Sequence, residues 1–424
     1  MGPGPGKRVA ALILILLLVA GFSPEADARF ELHPRLRVEQ EYNDNVFLRE
    51  SNKFADWITG VYPGFDLAAT SPTAGIELDY ELGYRYYWDL NTDFTEHRAG
   101  LRGYKSFTPH LSVEATDTFY RFEELLEPGL GTLAPRTALT PYIRNMADSK
   151  LTYKYGPESD VSLVYSNVLL RNDDPAIQDG TGNRGGIELR HAIDQHNLLE
   201  LGYSFERGDF EPVPGSRFFV IPDFNANRAN AGYTYEATRR LHLLGVANFE
   251  SINFLGPGVS DYQTYEGRAG VDYLFGKGFT TRATAGYMTV DRKEGEGFSG
   301  LAADVLVQKT WATGVASLGY RRGLSEDFYS GDNLGVFRYW MLGAAFTYYL
   351  QQHLSVMADV SVGNRFYPLV SRNDDFWTLD TGVDYRLRKW LRAGLHYEHY
   401  HLETNPQTFG FSNNRYIATI SAAY

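Results

Sequence analysis

Apolar and polar side chains alternate with a period of two along most of this chain. Within residues 76–90, Ile76, Leu78, Tyr80, Leu82, Tyr84, Tyr86, Trp88 and Leu90 share one parity. Glu77, Asp79, Glu81, Gly83, Arg85, Tyr87 and Asp89 share the other. In an extended strand these two sets point to opposite faces. The same rhythm returns at Leu199–Leu201–Tyr203–Phe205, at Tyr265 to Phe275, at Trp340 to Tyr348, at Leu354 to Val362 and at Trp377 to Leu387. The run at 76–90 is long beside the roughly five or six residues of a globular strand. The chain ends in the same way, with Tyr416, Ala418, Ile420, Ala422 and Tyr424 on one face and Arg415, Ile417, Thr419, Ser421 and Ala423 on the other.

The connections alternate in length. Short turns are expected at 71–75, 108–110, 156–160, 194–197, 236–240, 276–278, 309–313, 350–353 and 388–390. Between them fall longer polar loops at 43–56, 123–141, 171–184, 207–224, 250–262, 289–298, 323–336, 363–375 and 401–413, with a short one at 91–96. Short turns at one end and long loops at the other are the signature of transmembrane barrels. The expected fold class is therefore all-β: an antiparallel up-and-down transmembrane barrel of about 20 strands, or about 18 if one weak hairpin merges. An even count places both termini at the short-turn end. Asp117 and Lys105 break the apolar parity, and 161–170 is apolar on both faces beyond Tyr165; a bulge that shifts the phase would repair each.

At the start, Lys7 and Arg8 precede an apolar run over 9–22, and Ala26-Asp27-Ala28 forms a small-x-small cleavage site. This predicts a signal peptide over 1–28 and a barrel over 29–424. The chain has no Cys, so it has neither a lipid attachment site nor a disulfide. Its mean hydropathy of −0.33 fits a barrel, where a polar lumen face offsets an apolar lipid face. Aromatics reach 15%, with 30 Tyr and 26 Phe, which suits a membrane–water boundary. A net charge of −12 argues against a nucleic-acid partner. The partners expected instead are outer-membrane lipid and lipopolysaccharide, and the assembly machinery through the last strand, which ends at Tyr424.

After a first strand marked by Leu36, Val38 and Tyr42 come Glu41-Tyr42-Asn43-Asp44-Asn45-Val46-Phe47 and then Trp57-Ile58-Thr59-Gly60-Val61-Tyr62-Pro63-Gly64-Phe65. This opening resembles that of an outer-membrane β-barrel porin family associated with exopolysaccharide and exosortase gene clusters in Gram-negative bacteria. The resemblance implies localisation in the outer membrane and a partner in exopolysaccharide or its secretion machinery. It supplies no catalytic residues.

Candidate chemistry is sparse, and no catalytic, cofactor-binding or metal residues are assigned. On a strand His396 faces away from His399 and His401, so the three do not converge on a metal. Asn43-Asp44-Asn45 lacks the ligand spacing of a calcium loop and reads as a turn. Ser355 and Asp359 share a face with no His beside them, which leaves no acyl-transfer triad. By parity Arg37, Arg85, Arg98, Arg102, Arg190, Arg268, Arg282, Arg386 and Arg392 point inward. So do Glu39, Glu77, Asp79, Glu81, Glu114, Glu200, Glu266, Asp272, Asp304, Asp359, Asp380, Asp384 and Glu398, and cross-strand ion pairs in a wet lumen are expected. The acidic pairs Asp173-Asp174, Glu326-Asp327 and Asp374-Asp375 fall in expected external loops.

Three functions fit: a pore for small solutes, a polysaccharide conduit in which inward Tyr87, Tyr104 and Tyr120 stack on sugar rings, and a structural or adhesive barrel with a blocked lumen. Loop 123–141 holds Leu125, Leu126, Leu130, Leu133 and Leu139, stiffened by Pro128, Pro135 and Pro141. It is the first candidate for a constriction folded into the lumen or a packing segment against neighbouring loops or another subunit. Loop 207–224, with Phe218, Phe219, Val220 and Ile221, is the second.

Overall fold

The computed structural model describes residues 29–123, 140–213, 220–329, 335–405 and 410–424. The expected signal peptide lies outside the described residues. The first ten strands are β1 (Arg29–Asn43), β2 (Asp56–Thr70), β3 (Ala74–Tyr87), β4 (Thr92–Ser106), β5 (Leu111–Phe122), β6 (Tyr142–Gly156), β7 (Ser159–Asn172), β8 (Gly180–Ala192), β9 (Asn197–Phe210) and β10 (Phe224–Thr238). The second ten are β11 (Leu241–Phe254), β12 (Tyr262–Gly276), β13 (Phe279–Arg292), β14 (Phe298–Trp311), β15 (Gly314–Asp327), β16 (Gly335–Gln351), β17 (Leu354–Tyr367), β18 (Arg372–Arg388), β19 (Leu391–Asn405) and β20 (Phe411–Ala423). Each strand pairs antiparallel with the next, and β20 pairs with β1 from Arg35↔Ala423 to Asn43↔Arg415, which closes the barrel.

The chain alternates as it does because each strand divides two solvents. Outward side chains include Leu201, Tyr203, Phe205, Leu318, Leu342, Val360, Val362, Val383, Tyr385 and Ile420, all left exposed by the protein itself. An apolar belt of this kind needs hydrocarbon around it. The protein is a transmembrane β-barrel of the bacterial outer membrane. Trp377, Trp88 and Tyr416 mark one rim of the belt, and Trp390, Phe275 and Tyr424 the other.

Two expectations are corrected. The bulges that would have repaired the parity near Lys105, Asp117 and 161–170 are absent, because pairing runs unbroken through Lys105↔Val113, Leu101↔Asp117, Asp117↔Ala147 and Leu163↔Ile187. Register shifts fall instead at the short turns, for example between Leu274 and Gly276, where Gly276, Lys277 and Gly278 all adopt positive φ. A side chain at Gly278 would also meet the Thr310 carbonyl. The longer loops are shorter than expected, since strands of up to 17 residues run on into the polar stretches. The polar composition there reflects the end of the lipid belt and not the end of pairing.

The motif Asn43-Asp44-Asn45 closes the barrel seam. Asn413 donates to Asn43 Oδ1 at 2.6 Å, and Asp44 accepts from the backbone and side chain of Asn414 at 2.7 and 2.5 Å. Beneath it Glu41, 1% exposed, accepts from Arg415 at 2.7 and 2.9 Å and from Arg85 at 3.1 Å. The first and last strands are thus locked by side chains as well as by backbone.

Candidate functional site at the loop-side mouth

Several inward charges form the cross-strand pairs their parity predicts: Arg102 reaches Glu77 and Glu114, Arg190 reaches Glu200, and Arg282 reaches Asp272. Arg37 reaches Glu81 two strands away and Glu39 on its own strand. Arg102 and Glu114 each keep 49% of their side-chain surface exposed, as do Lys150 and Glu188 at 47% and 49%. These pairs face open space within the barrel.

The wall is interrupted above the middle of β15. Pairing of β14 with β15 runs from Trp311↔Gly314 only to Ala303↔Arg322, while pairing of β15 with β16 continues to Asp327↔Gly335. On the other side, β16 meets β17 only from Arg338↔Phe366. Residues 323–327 and 335–337 therefore form the end of a hairpin detached from both neighbours. It bends across the lumen onto the inner wall of β8–β13. Its formerly outward face supplies Leu324, Glu326 and Val336 to that contact, and Phe328 and Tyr329 follow beyond β15.

An apolar cluster seats it. Phe328 and Val336 pack with Phe210, Phe224, Ala226, Ile252, Phe254, Tyr262 and Val290 from the wall, and with Ile221 from the connection between β9 and β10. The ring of Phe328 lies 4.6 Å from that of Phe224, and Tyr329 stacks on Phe210 at 5.5 Å. Ile221, Phe224 and Ile252 are 0% exposed. Burying each such side chain contributes about 1.5–3 kcal/mol.

Beneath the cluster, one guanidinium gathers three carboxylates. Arg228 on β10 pairs with Glu206 on β9 at 2.5 Å, with Glu250 on β11, and with Glu326 of the hairpin at 2.7 Å. Tyr262 donates to the other oxygen of Glu326 at 3.0 Å, and Tyr329 donates to Glu206 at 3.1 Å. Burial and the adjacent Glu206 push the Tyr329 hydroxyl above its ordinary range, so it stays a donor. At the same loop-side end, just after β5, burial together with Glu96 raises the carboxyl of Glu123 to about 7. Below the hairpin the lumen wall of β5–β11 lines a cavity of about 760 Å³, which includes Glu114, Asp148, Lys150, Arg184, Ser204 and Asn230.

The other candidates find different places. Residues 124–139, with the leucines of the first constriction candidate, lie outside the described residues. Phe218 and Phe219 of the second also lie outside them, while Ile221 joins the cluster. Glu326 and Asp374 are not solvated loop charges: Glu326 faces the lumen wall, and Asp374, 1% exposed, accepts from Arg372 at 2.7 Å. His399 and His401 pack on outward Trp377 at 4.2 and 6.3 Å, whereas His396 faces Asp384 at 3.4 Å, so the three do not meet. Ser355 and Asp359 pair with Asp384 and Asp380 across β17–β18. Tyr87 is 4% exposed and packed on Phe94, which removes it as a sugar platform, while Tyr104 and Tyr120 stay half-buried under Arg102 and Arg98. The sequence reading missed Arg228, Glu206, Glu250 and the hairpin. The available signal was Leu324, Phe328, Tyr329, Val336 and Phe337 in a stretch assigned to a polar loop.

No protein-family model and no curated protein sequence matches the chain. Among solved structures, the siderophore receptor PirA from Pseudomonas aeruginosa is similar over 93% of this chain and 80% of its own, with a TM-score of 0.55 and 10% identity. The FrpB iron transporter from Neisseria meningitidis is similar over 92% and 82%, with a TM-score of 0.54 and 9% identity. The outer membrane protein OpdK from Pseudomonas aeruginosa aligns over 93% and 99%, with a TM-score of 0.45 and 12% identity. What the chain shares with the first two is the fold, a large membrane barrel.

Proposed function

We propose that this protein is a porin-like outer-membrane channel whose loop-side mouth is narrowed by the β15–β16 hairpin. The observation that carries the reading is the half-exposed state of inward ion pairs such as Arg102–Glu114 and Lys150–Glu188. Barrels of 16 or more strands enclose room for water, and this one has 20. A charged wall around that room passes polar solutes and rejects apolar ones. Polysaccharide is the finer proposal, supported by the resemblance of the first hairpin and by lumen-facing Tyr104 and Tyr120. The strand ending at Tyr424 is the proposed contact with the assembly machinery. Reconstitution in planar bilayers tests the channel: discrete conductance steps are expected, reduced by added oligosaccharide if sugars are cargo. A folded barrel that gives no steps would make it a structural or adhesive element instead.

A further inference from the structure

Three arginines among the described residues are buried, and two of them have carboxylates. Arg85 reaches Glu41 at 3.1 Å and Glu96 at 3.5 Å, and Arg372 donates to Asp374 at 2.7 Å. Arg365, 3% exposed, has no carboxylate partner among the described residues. Its Nη2 is buried with no hydrogen-bond partner, and its Nη1 donates to the Tyr367 hydroxyl at 3.5 Å. A guanidinium keeps its charge, so the cost of burying it is not relieved by loss of a proton.

The surroundings suit a ring as well as a charge. Arg365 faces the lumen on β17, in one cross-strand row with Tyr339 of β16, Asp374 of β18 and Thr404 of β19. The guanidinium lies 4.8 Å from the ring of Phe376 and 6.0 Å from that of Phe337. Gly363, next on the same face, makes room for Phe376, since a Cβ there would meet its Cζ at 2.7 Å. Aromatic faces offset part of the lost hydration but give the N–H groups no strong acceptor. Thr404, 4% exposed, repeats the pattern, because its Oγ1 is also buried with no hydrogen-bond partner. Buried polar groups in native proteins are normally paired. Two orphaned donors in one row, on either side of an Asp374 already engaged by Arg372, point to an acceptor from outside the chain.

We propose that Arg365 binds the carboxylate of a sugar acid at the loop-side mouth. A planar guanidinium matches a carboxylate through directed N–H bonds, which a neutral sugar does not return. Phe337 and Phe376 offer apolar faces to the C–H side of a sugar ring, and the Thr404 and Tyr367 hydroxyls meet its polar edge. Phe337 belongs to the end of β16 that does not pair with β17, so the cover over Arg365 moves without opening the wall. The assignment rests on the reading of sugar as cargo and adds a charge to it. It is tested by binding without current, so it fails separately from the channel.

Isothermal titration of the detergent-folded full chain with glucuronate should give saturable heat, with glucose weaker by about tenfold or more. Arg365→Gln should fold as well as the wild type, since no carboxylate is left behind, and should weaken glucuronate by about tenfold or more. Thr404→Val should weaken it severalfold, and decides if Arg365→Gln gives no heat-modifiable barrel. Absence of saturable heat with the wild type would overturn the proposal even in a barrel that conducts. Unchanged affinity in the variants would overturn it too, as would chloride or phosphate displacing glucuronate at equal concentration, which would mark a site for inorganic anions.

Discussion

Arg228 ties three adjacent wall strands to a hairpin that backbone hydrogen bonds leave separate from them. Its three carboxylate partners come from β9, β11 and β15, and Glu326 is 98 positions away in sequence. Removing the guanidinium would leave Glu206, Glu250 and Glu326 facing one another without a cation. Breaking one side of a largely buried ion cluster costs on the order of 3–5 kcal/mol. That cost falls on the hairpin, since the wall strands keep their ladders. Arg228→Ala should therefore leave heat-modifiability unchanged while making peptide bonds near Phe328 and Tyr329 protease-sensitive. Continued resistance there would mean that the apolar cluster alone holds the hairpin. The inward parity of Arg37, Arg102 and Glu114 was legible because alternation is a local property. The convergence on Arg228 was not, because a contact between β10 and β15 leaves no periodic trace. Asn43-Asp44-Asn45 illustrates the same limit. Its turn character was readable, but its partners, Asn413 and Asn414, sit at the other end of the chain.

At the scale of elements, twenty strands and their order followed from alternation and from the spacing of turns. Strand ends did not follow, because polarity at the loop side marks the lipid boundary while pairing continues past it. Residues 323–327 and 335–336 show the consequence most clearly. Read as part of a loop, they are strand continuations that leave the wall once their neighbours on β14 and β17 stop pairing with them. The barrel also has a definite polarity, with the termini at the short-turn end. Cysteines placed at 277–278 should resist a membrane-impermeant thiol reagent on intact cells, while cysteines within 173–179 should react. Reaction at the short turns would invert the assignment of the outer face.

For the whole molecule, the barrel supplies a wide charged interior and the hairpin occupies part of its mouth. The hairpin rests on β8–β13, so any passage is displaced toward the remaining wall. The same detachment that frees it from β14 gives it a means of narrowing the pore without weakening the closed ladder. The most direct measurement is single-channel conductance of a variant in which residues 324–336 are replaced by a short Gly-Ser turn. The account predicts a correctly folded, heat-modifiable barrel with conductance raised severalfold over the wild type. Equal conductance in the two proteins would contradict the assignment of this hairpin as the constriction.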